Sequence, residues 1–278
     1  IPHRLWVRDV RQKRMSLFDR ATCAVEARLV ANPRCRRFLA VSSITKGKFT
    51  SEYGVEEGRV LVLPPGTDVS RFTGLDRERC RAELRRSLGA DPSTLILLFV
   101  SMNFEVKGLD YVMQGLAALK RTRGSRVPLL FVVGRGNEGH YRRMAEGLGI
   151  GEHVRFSGVT GRENLDSLYA GSDLFAMLSR FDTFGMAALD AMAASLPVVL
   201  SGNVGAKDLV HDGVNGFIVD NPADAGAVAE RLARLLDSGI RERIGKEAFR
   251  TASGQSWDEV ARRQIGIYEE LLGSSSRA

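Results

Sequence analysis

The chain predicts an α/β protein built on a Rossmann-like, doubly wound parallel sheet, and two observations predict it. From about residue 92, short apolar runs alternate with amphipathic stretches of helical spacing. The apolar runs are continuous rather than alternating, as strands buried on both faces are.

In chain order, Phe38–Val41 and Val60–Leu63 read as two parallel strands joined by a helix near Ile44–Tyr53. Pro64-Pro65-Gly66 stops the second strand and reads as a linker. Two strands do not make a stable sheet, so residues 1–63 are expected to be the tail of a larger domain. The regular part follows: strand Leu95–Val100, helix Leu109–Lys120, strand Leu129–Val133, a helix near Glu138–Leu148 and strand Val154–Ser157. Next come a helix near Arg162–Ala170, strand Leu174–Leu178, helix Phe184–Ala194, and strands Val198–Ser201 and Gly216–Val219. Helices Ala223–Leu236, Arg241–Ala252 and Trp257–Leu272 close the chain.

Of the 278 residues, 44% are hydrophobic and 26% charged, a globular composition. No apolar run approaches the ~18 residues of a membrane span. Cys23, Cys35 and Cys80 lack metal-ligand spacing, which points to free thiols in a reducing compartment. The charge is lopsided. Residues 1–48 carry twelve Lys or Arg against three acids, a net of +9, while the whole chain is +7. A basic arm could bind nucleic acid or an anionic membrane. Only Trp6, Phe18 and Phe38 interleave as stacking residues, which disfavours nucleic acid. Leu5, Trp6, Val10, Met15, Leu17 and Phe18 beside the cations suit a membrane surface.

Three motifs carry chemistry. Gly134-Arg-Gly136-Asn-Glu-Gly139 is a literal dinucleotide-binding pattern, but no acid stands at the end of the next strand to grip a ribose. A tight strand-to-helix turn is the better reading, with a NAD-binding Rossmann protein as the alternative. Lys107-Gly108, between a strand and a helix N-terminus, is placed to hold a phosphate. Asp182 and Asp190 lie in an otherwise apolar strand-loop-helix, and a buried carboxylate needs a partner. The amides of Thr183, Phe184, Gly185 and Met186 are expected to be open at the positive end of the helix. Asp182 could equally serve as an N-cap, and the two acids could be the carboxylate pair of a glycosidase.

The run D-T-F-G-M-A-A-L-D-A-M-A-A-S-L-P-V-V resembles the donor-site motif of retaining glycosyltransferases of the GT-B fold, in the large family four. Pro65-Gly66-Thr67-Asp68 with Arg71-Phe72 resembles the family's interdomain motif, and Asn103 to Gly108 its strand-loop lysine. The likeness covers nearly the whole chain and, within the family, is nearest to the lipopolysaccharide core glucosyltransferases. Both family glutamates are aspartates here, Met102 and Val106 stand where a phosphate-binding arginine is usual, and Ser195 replaces a glycine.

The resemblance implies the end of an acceptor domain (1–68), a donor-binding domain (69–255), and a closing helix and tail (256–278). It implies transfer of a hexose from a nucleoside diphosphate sugar, UDP-glucose first among them, to a glycan or glycolipid acceptor, without a metal or cofactor. Lys107, Arg71 and the Thr183–Met186 amides would hold the diphosphate, Asp190 the ribose, Asp182 the sugar and the backbone near Val159 the base. Ser101 would line the donor pocket. Lys107, Arg71 and Asp182 would be the catalytic set. A cytoplasmic enzyme resting on the inner face of the plasma membrane through residues 1–37, and inactive as this stretch alone, completes the expectation.

Overall fold

A computed structural model describes residues 2–11, 13–124 and 126–273; expectations falling on positions 1, 12, 125 and 274–278 lie outside the described residues. The chain forms two compact units, one made of the residues up to Gly66 with those from Trp257 on, the other of Thr67–Ser256.

In the first unit, α1 (His3–Leu5) runs into a π-helical turn, Trp6–Arg11, followed by α2 (Leu17–Ala31). A capping box starts α2: the Ser16 hydroxyl accepts from the Asp19 amide, and the Asp19 carboxylate accepts from the Ser16 amide at 2.8 Å. Bonds from the Ser16 hydroxyl and from His3 hold the Asp19 carboxyl down at about 2. Strands β1 (Phe38–Ala40) and β2 (Val60–Val62) pair in parallel through α3 (Ser43–Tyr53). Each strand ends one residue earlier than its sequence pattern predicts. The core is small, Ala40, Val55 and Val60 with the Phe38, Phe49 and Tyr53 rings. On α2, Leu17 (84% exposed), Phe18 (75%), Val25 and Leu29 face solvent.

The second unit opens with α4 (Ser70–Thr73) and α5 (Arg77–Leu88), then alternates strand and helix. The strands are β3 (Ile96–Ser101), β4 (Leu129–Gly134), β5 (Val154–Gly158), β6 (Leu174–Met177), β7 (Val198–Ser201) and β8 (Gly216–Val219). The helices are α6 (Leu109–Arg123), α7 (Glu138–Gly147), α8 (Arg162–Gly171), α9 (Met186–Ala193), α10 (Ala225–Arg234) and α11 (Ser238–Ser253). The final helix α12 (Trp257–Gly273) belongs to the first unit.

All six strands are parallel, in the order β5-β4-β3-β6-β7-β8. Alternate residues of each strand face opposite sides. Leu97 and Phe99 of β3 join the cluster under α6 and α10, while Ile96 and Leu98 join the one under α9. The sheet is thus covered on both faces, which is why its strands read as unbroken apolar runs. Close helix packing explains Gly115, where a Cβ would sit 2.2 Å from Val228 Cγ1. At the amino end of β6, the fully buried Asp173 carboxylate accepts from Arg81 (2.5 Å), Arg85 (2.7 Å) and the Ile96 amide (2.6 Å). Among the described residues no helix is long and apolar enough to cross a membrane.

Candidate functional site

The strand order places a topological switch between β3 and β6. From β3 the chain winds outward through β4 and β5, then crosses back to lay β6 on the other side of β3. The loops after β3 and β6 therefore diverge over the same crevice, where open sheets bind ligands. Lys107 sits in the first loop and Asp182 in the second. Lys107 Nζ donates to Asp182 Oδ2 in an ion pair whose side chains are 25% and 11% exposed.

The two loops are locked together. The Arg180 amide donates to the Val106 carbonyl at 2.9 Å. The Arg180 guanidinium donates to both Asp110 oxygens (2.9 and 2.6 Å) and to the Glu105 carbonyl, and lies over the Tyr111 ring. Hydrogen bonding to Asp110 pushes the Arg180 pKa up. Gly108, at φ 71°, must be glycine: a Cβ there would lie 2.0 Å from the Leu178 carbonyl oxygen.

The start of α9 differs from expectation. The helix begins at Met186, two residues later than the sequence pattern predicts, because Gly185 adopts the left-handed conformation at φ 96°. Phe184 is a buried core residue, and its amide donates to Asp182 Oδ1 at 3.3 Å. The expected row of four open amides is corrected accordingly: the Phe184 amide is already taken. Asp182 combines two roles, closing the turn through Oδ1 and pairing Lys107 through Oδ2. Its backbone is pinned as well, since the Asp182 amide donates to Asn203 and its carbonyl accepts from Gly205. Sequence reasoning missed this Asn203–Gly205 clamp, for which only proximity in the fold gives a signal.

Asp190, on α9, has partners the sequence does not disclose. Its Oδ1 accepts from Thr67 Oγ1 (3.0 Å) and Arg71 Nη1 (3.0 Å). Arg71 also grips Asp166 of α8 with two nitrogens, Nε to Oδ2 at 3.1 Å and Nη2 to Oδ1. Asp166 first, then Asp190, raises the Arg71 pKa. Tyr169, buried, fixes α8 against α9 by donating to the Ala187 carbonyl at 3.2 Å. Neither Thr67 nor Asp166 stands out in the sequence as a site residue.

Ser101 lies at the buried end of β3, its hydroxyl accepting from the Asn103 amide at 2.8 Å. Val159, after β5, is 62% exposed, and Met186 is half-exposed beside Gly185. Thr183 is half-buried in the loop after β6. The glycine pattern after β4 is accounted for by packing. A Cβ on Gly134 (φ 124°) would meet the Ser101 carbonyl oxygen at 1.7 Å, and one on Gly136 would meet the Phe104 ring at 2.3 Å. Among the described residues no group of three His, Cys, Asp or Glu side chains could hold a metal ion.

Comparison with known proteins gives the family and the fold. The family described as Glycosyl transferases group 1 matches residues 81–251. The D-inositol 3-phosphate glycosyltransferase of Actinosynnema mirum is 33% identical over 94% of this chain and 61% of its own length. That of Salinispora arenicola is 32% identical over 86% of this chain and 55% of its own. The chain thus spans between half and two thirds of these relatives. Among solved structures, WaaG, a glycosyltransferase involved in lipopolysaccharide biosynthesis, superposes with a TM-score of 0.76 at 24% identity, over 94% of this chain and 72% of that one. HepE of Anabaena, in complex with UDP and glucose, superposes with a TM-score of 0.73 at 23% identity, over 92% and 67%. The α/β fold is the GT-B type these glycosyltransferases share.

Proposed function

Because the chain belongs to the group 1 glycosyl transferases, we propose that its second unit binds a nucleoside diphosphate sugar in the crevice between the β3 and β6 loops. The observation that carries the reading is the Lys107–Asp182 pair at the switch point, with Asp190 further along the helix that follows the same loop. Lys107 is the cation that meets the diphosphate and offsets the charge growing on it as the glycosidic bond breaks, a fixed electrostatic role. We read the site as working without a metal or cofactor. Gly185, where a Cβ would meet Val204 Cγ1 at 2.7 Å and Met177 Cε at 2.9 Å, lets the chain turn tightly into α9, whose positive end faces the same crevice. Asp190 holds the ribose hydroxyls, Asp182 the sugar, and the exposed backbone near Val159 lies beside the base. The reaction retains anomeric configuration.

HepE was solved with UDP and with UDP-glucose, which supports UDP-glucose as first donor. A lipopolysaccharide-core glycan as acceptor is supported by the WaaG likeness, and a phosphorylated inositol by the relatives' names. The exposed Leu17, Phe18, Val25 and Leu29 of α2, among Arg14, Arg20 and Arg28, support an enzyme resting on the anionic inner face of the plasma membrane. The stretch by itself is expected to bind donor and transfer no sugar. A melting-temperature panel with UDP, GDP, ADP and their glucose conjugates tests the reading, since the right ligand raises the melting point by mass action. No shift with any of them would overturn it.

A further inference from the structure

We propose that Arg71 and Asp166 are positioning residues that aim the Asp190 carboxylate at the donor ribose, and that Arg71 does not bind the diphosphate; this rests on the donor-site reading above. All three guanidinium nitrogens of Arg71 are engaged, two by Asp166 and one by Asp190. The planar fork on Asp166 fixes the guanidinium plane, and the side chain is only 14% exposed. One cation between two carboxylates leaves the cluster at net −1, so it offers no positive charge to a diphosphate. What it does offer is orientation. Arg71 and Thr67 both donate to Oδ1 of Asp190, while among the described residues Oδ2 carries no hydrogen bond. One oxygen is held and the other is left for a ligand. Thr67 is itself buried, and its amide is tied to the Gln255 carbonyl at 2.9 Å, so the bracket is anchored on both sides.

The test is calorimetric binding of three probes, UDP, UMP and 2′,3′-dideoxy-UDP, to the unaltered chain and to Asp166→Asn, Asp166→Glu, Arg71→Gln and Asp190→Asn. Each variant is judged by two ratios of affinity, UDP over dideoxy-UDP for the ribose hydroxyls and UDP over UMP for the second phosphate. Both ligands see the same sample, so a partly unfolded fraction cancels. Asp166→Asn and Arg71→Gln should lower the ribose ratio about five- to tenfold and leave the phosphate ratio unchanged. Asp166→Glu should restore most of the ribose ratio. A fall in the phosphate ratio with Arg71→Gln, or an unmoved ribose ratio with both it and Asp166→Asn, overturns the positioning role. An unmoved ribose ratio with Asp190→Asn, or no binding of UDP, GDP or ADP by the unaltered chain, overturns instead the donor-site reading beneath it.

Discussion

Asp182→Asn keeps an oxygen for the Phe184 amide while removing the charge that holds Lys107. In the free protein the Lys107–Asp182 pair is partly buried, with side chains 25% and 11% exposed, so its worth is about 1 kcal/mol. An arriving diphosphate must open or share that pair. Removing the carboxylate spares this cost, and about 1 kcal/mol corresponds to roughly fivefold in affinity. UDP should therefore bind the Asn variant about fivefold tighter. UDP-glucose should gain nothing or lose, because in the proposed site its sugar forfeits the Asp182 contact. Asp182→Ala should share the ligand pattern and also leave the buried Phe184 amide unpaired, at a cost of about 1 kcal/mol in fold stability, since the lost bond is long at 3.3 Å. Calorimetry with both ligands, beside chemical denaturation of each variant, separates charge from turn closure. If UDP binds the Asn variant several-fold more weakly at unchanged stability, Asp182 does not compete with the diphosphate and the pair has been misread.

Three further outcomes are expected. Ser195 is held at φ 60°, a left-handed conformation that costs a side-chain-bearing residue about 1–2 kcal/mol; after the entropic cost of glycine, Ser195→Gly should stabilise the fold by about 0.5 kcal/mol in urea titration, and a clear loss would refute the strain. Asp173→Ala leaves the Arg85 guanidinium, 4% exposed, buried without its counter-charge, and should cost about 3–5 kcal/mol in the same titration; a loss under 1 kcal/mol would mean water reaches that corner. Burial first, then Lys120, pushes the His153 pKa below its ordinary 6.5, with Glu152 opposing and Arg155 adding to the shift. The unfolded chain then binds the proton more readily, so stability present above about pH 6.5 is lost as pH falls below it; His153→Gln should flatten that slope, and an unaltered slope would show that His153 does not set it.

What the sequence discloses, and what it hides, follows the range of the interactions. β7 and β8 match their patterns residue for residue, because Val198–Ser201 is fully buried, Gly216–Val219 is buried except for half-buried Ile218, and both are bounded by turn residues. α9 starts late because Gly185 takes a left-handed turn, a backbone choice that the helical pattern does not show. The helix Arg77–Leu88 is passed over in the sequence, although Asp76 accepts from the Arg79 amide as its cap; its charge-rich composition masks the buried Cys80 and Leu84. At the candidate site, motif and position single out Lys107, Asp182 and Asp190. They do not single out the partners. Thr67 lies 123 residues from Asp190, and Asp166 lies 95 from Arg71. No local pattern encodes such a meeting; only the order of the strands does.

That strand order also governs when the site comes into being. Lys107 and Asp182 are 75 residues apart, and Arg71 and Asp190 are 119 apart. Each pair joins chain made before the crossover from β5 to chain made after it. Closing the longer loop costs only about 0.4 kcal/mol more than the shorter, so the two clusters assemble together once β6 docks on β3. Neither half holds a binding site by itself, and long-range pairings of this kind form late in folding. In the proposed site, a nucleotide seated across both loops would act as a clasp on the seam between β3 and β6. It should slow the opening of that seam before it affects the fraying of either outer edge, and amide exchange along Leu97, Leu98 and Leu174 would register the clasp closing.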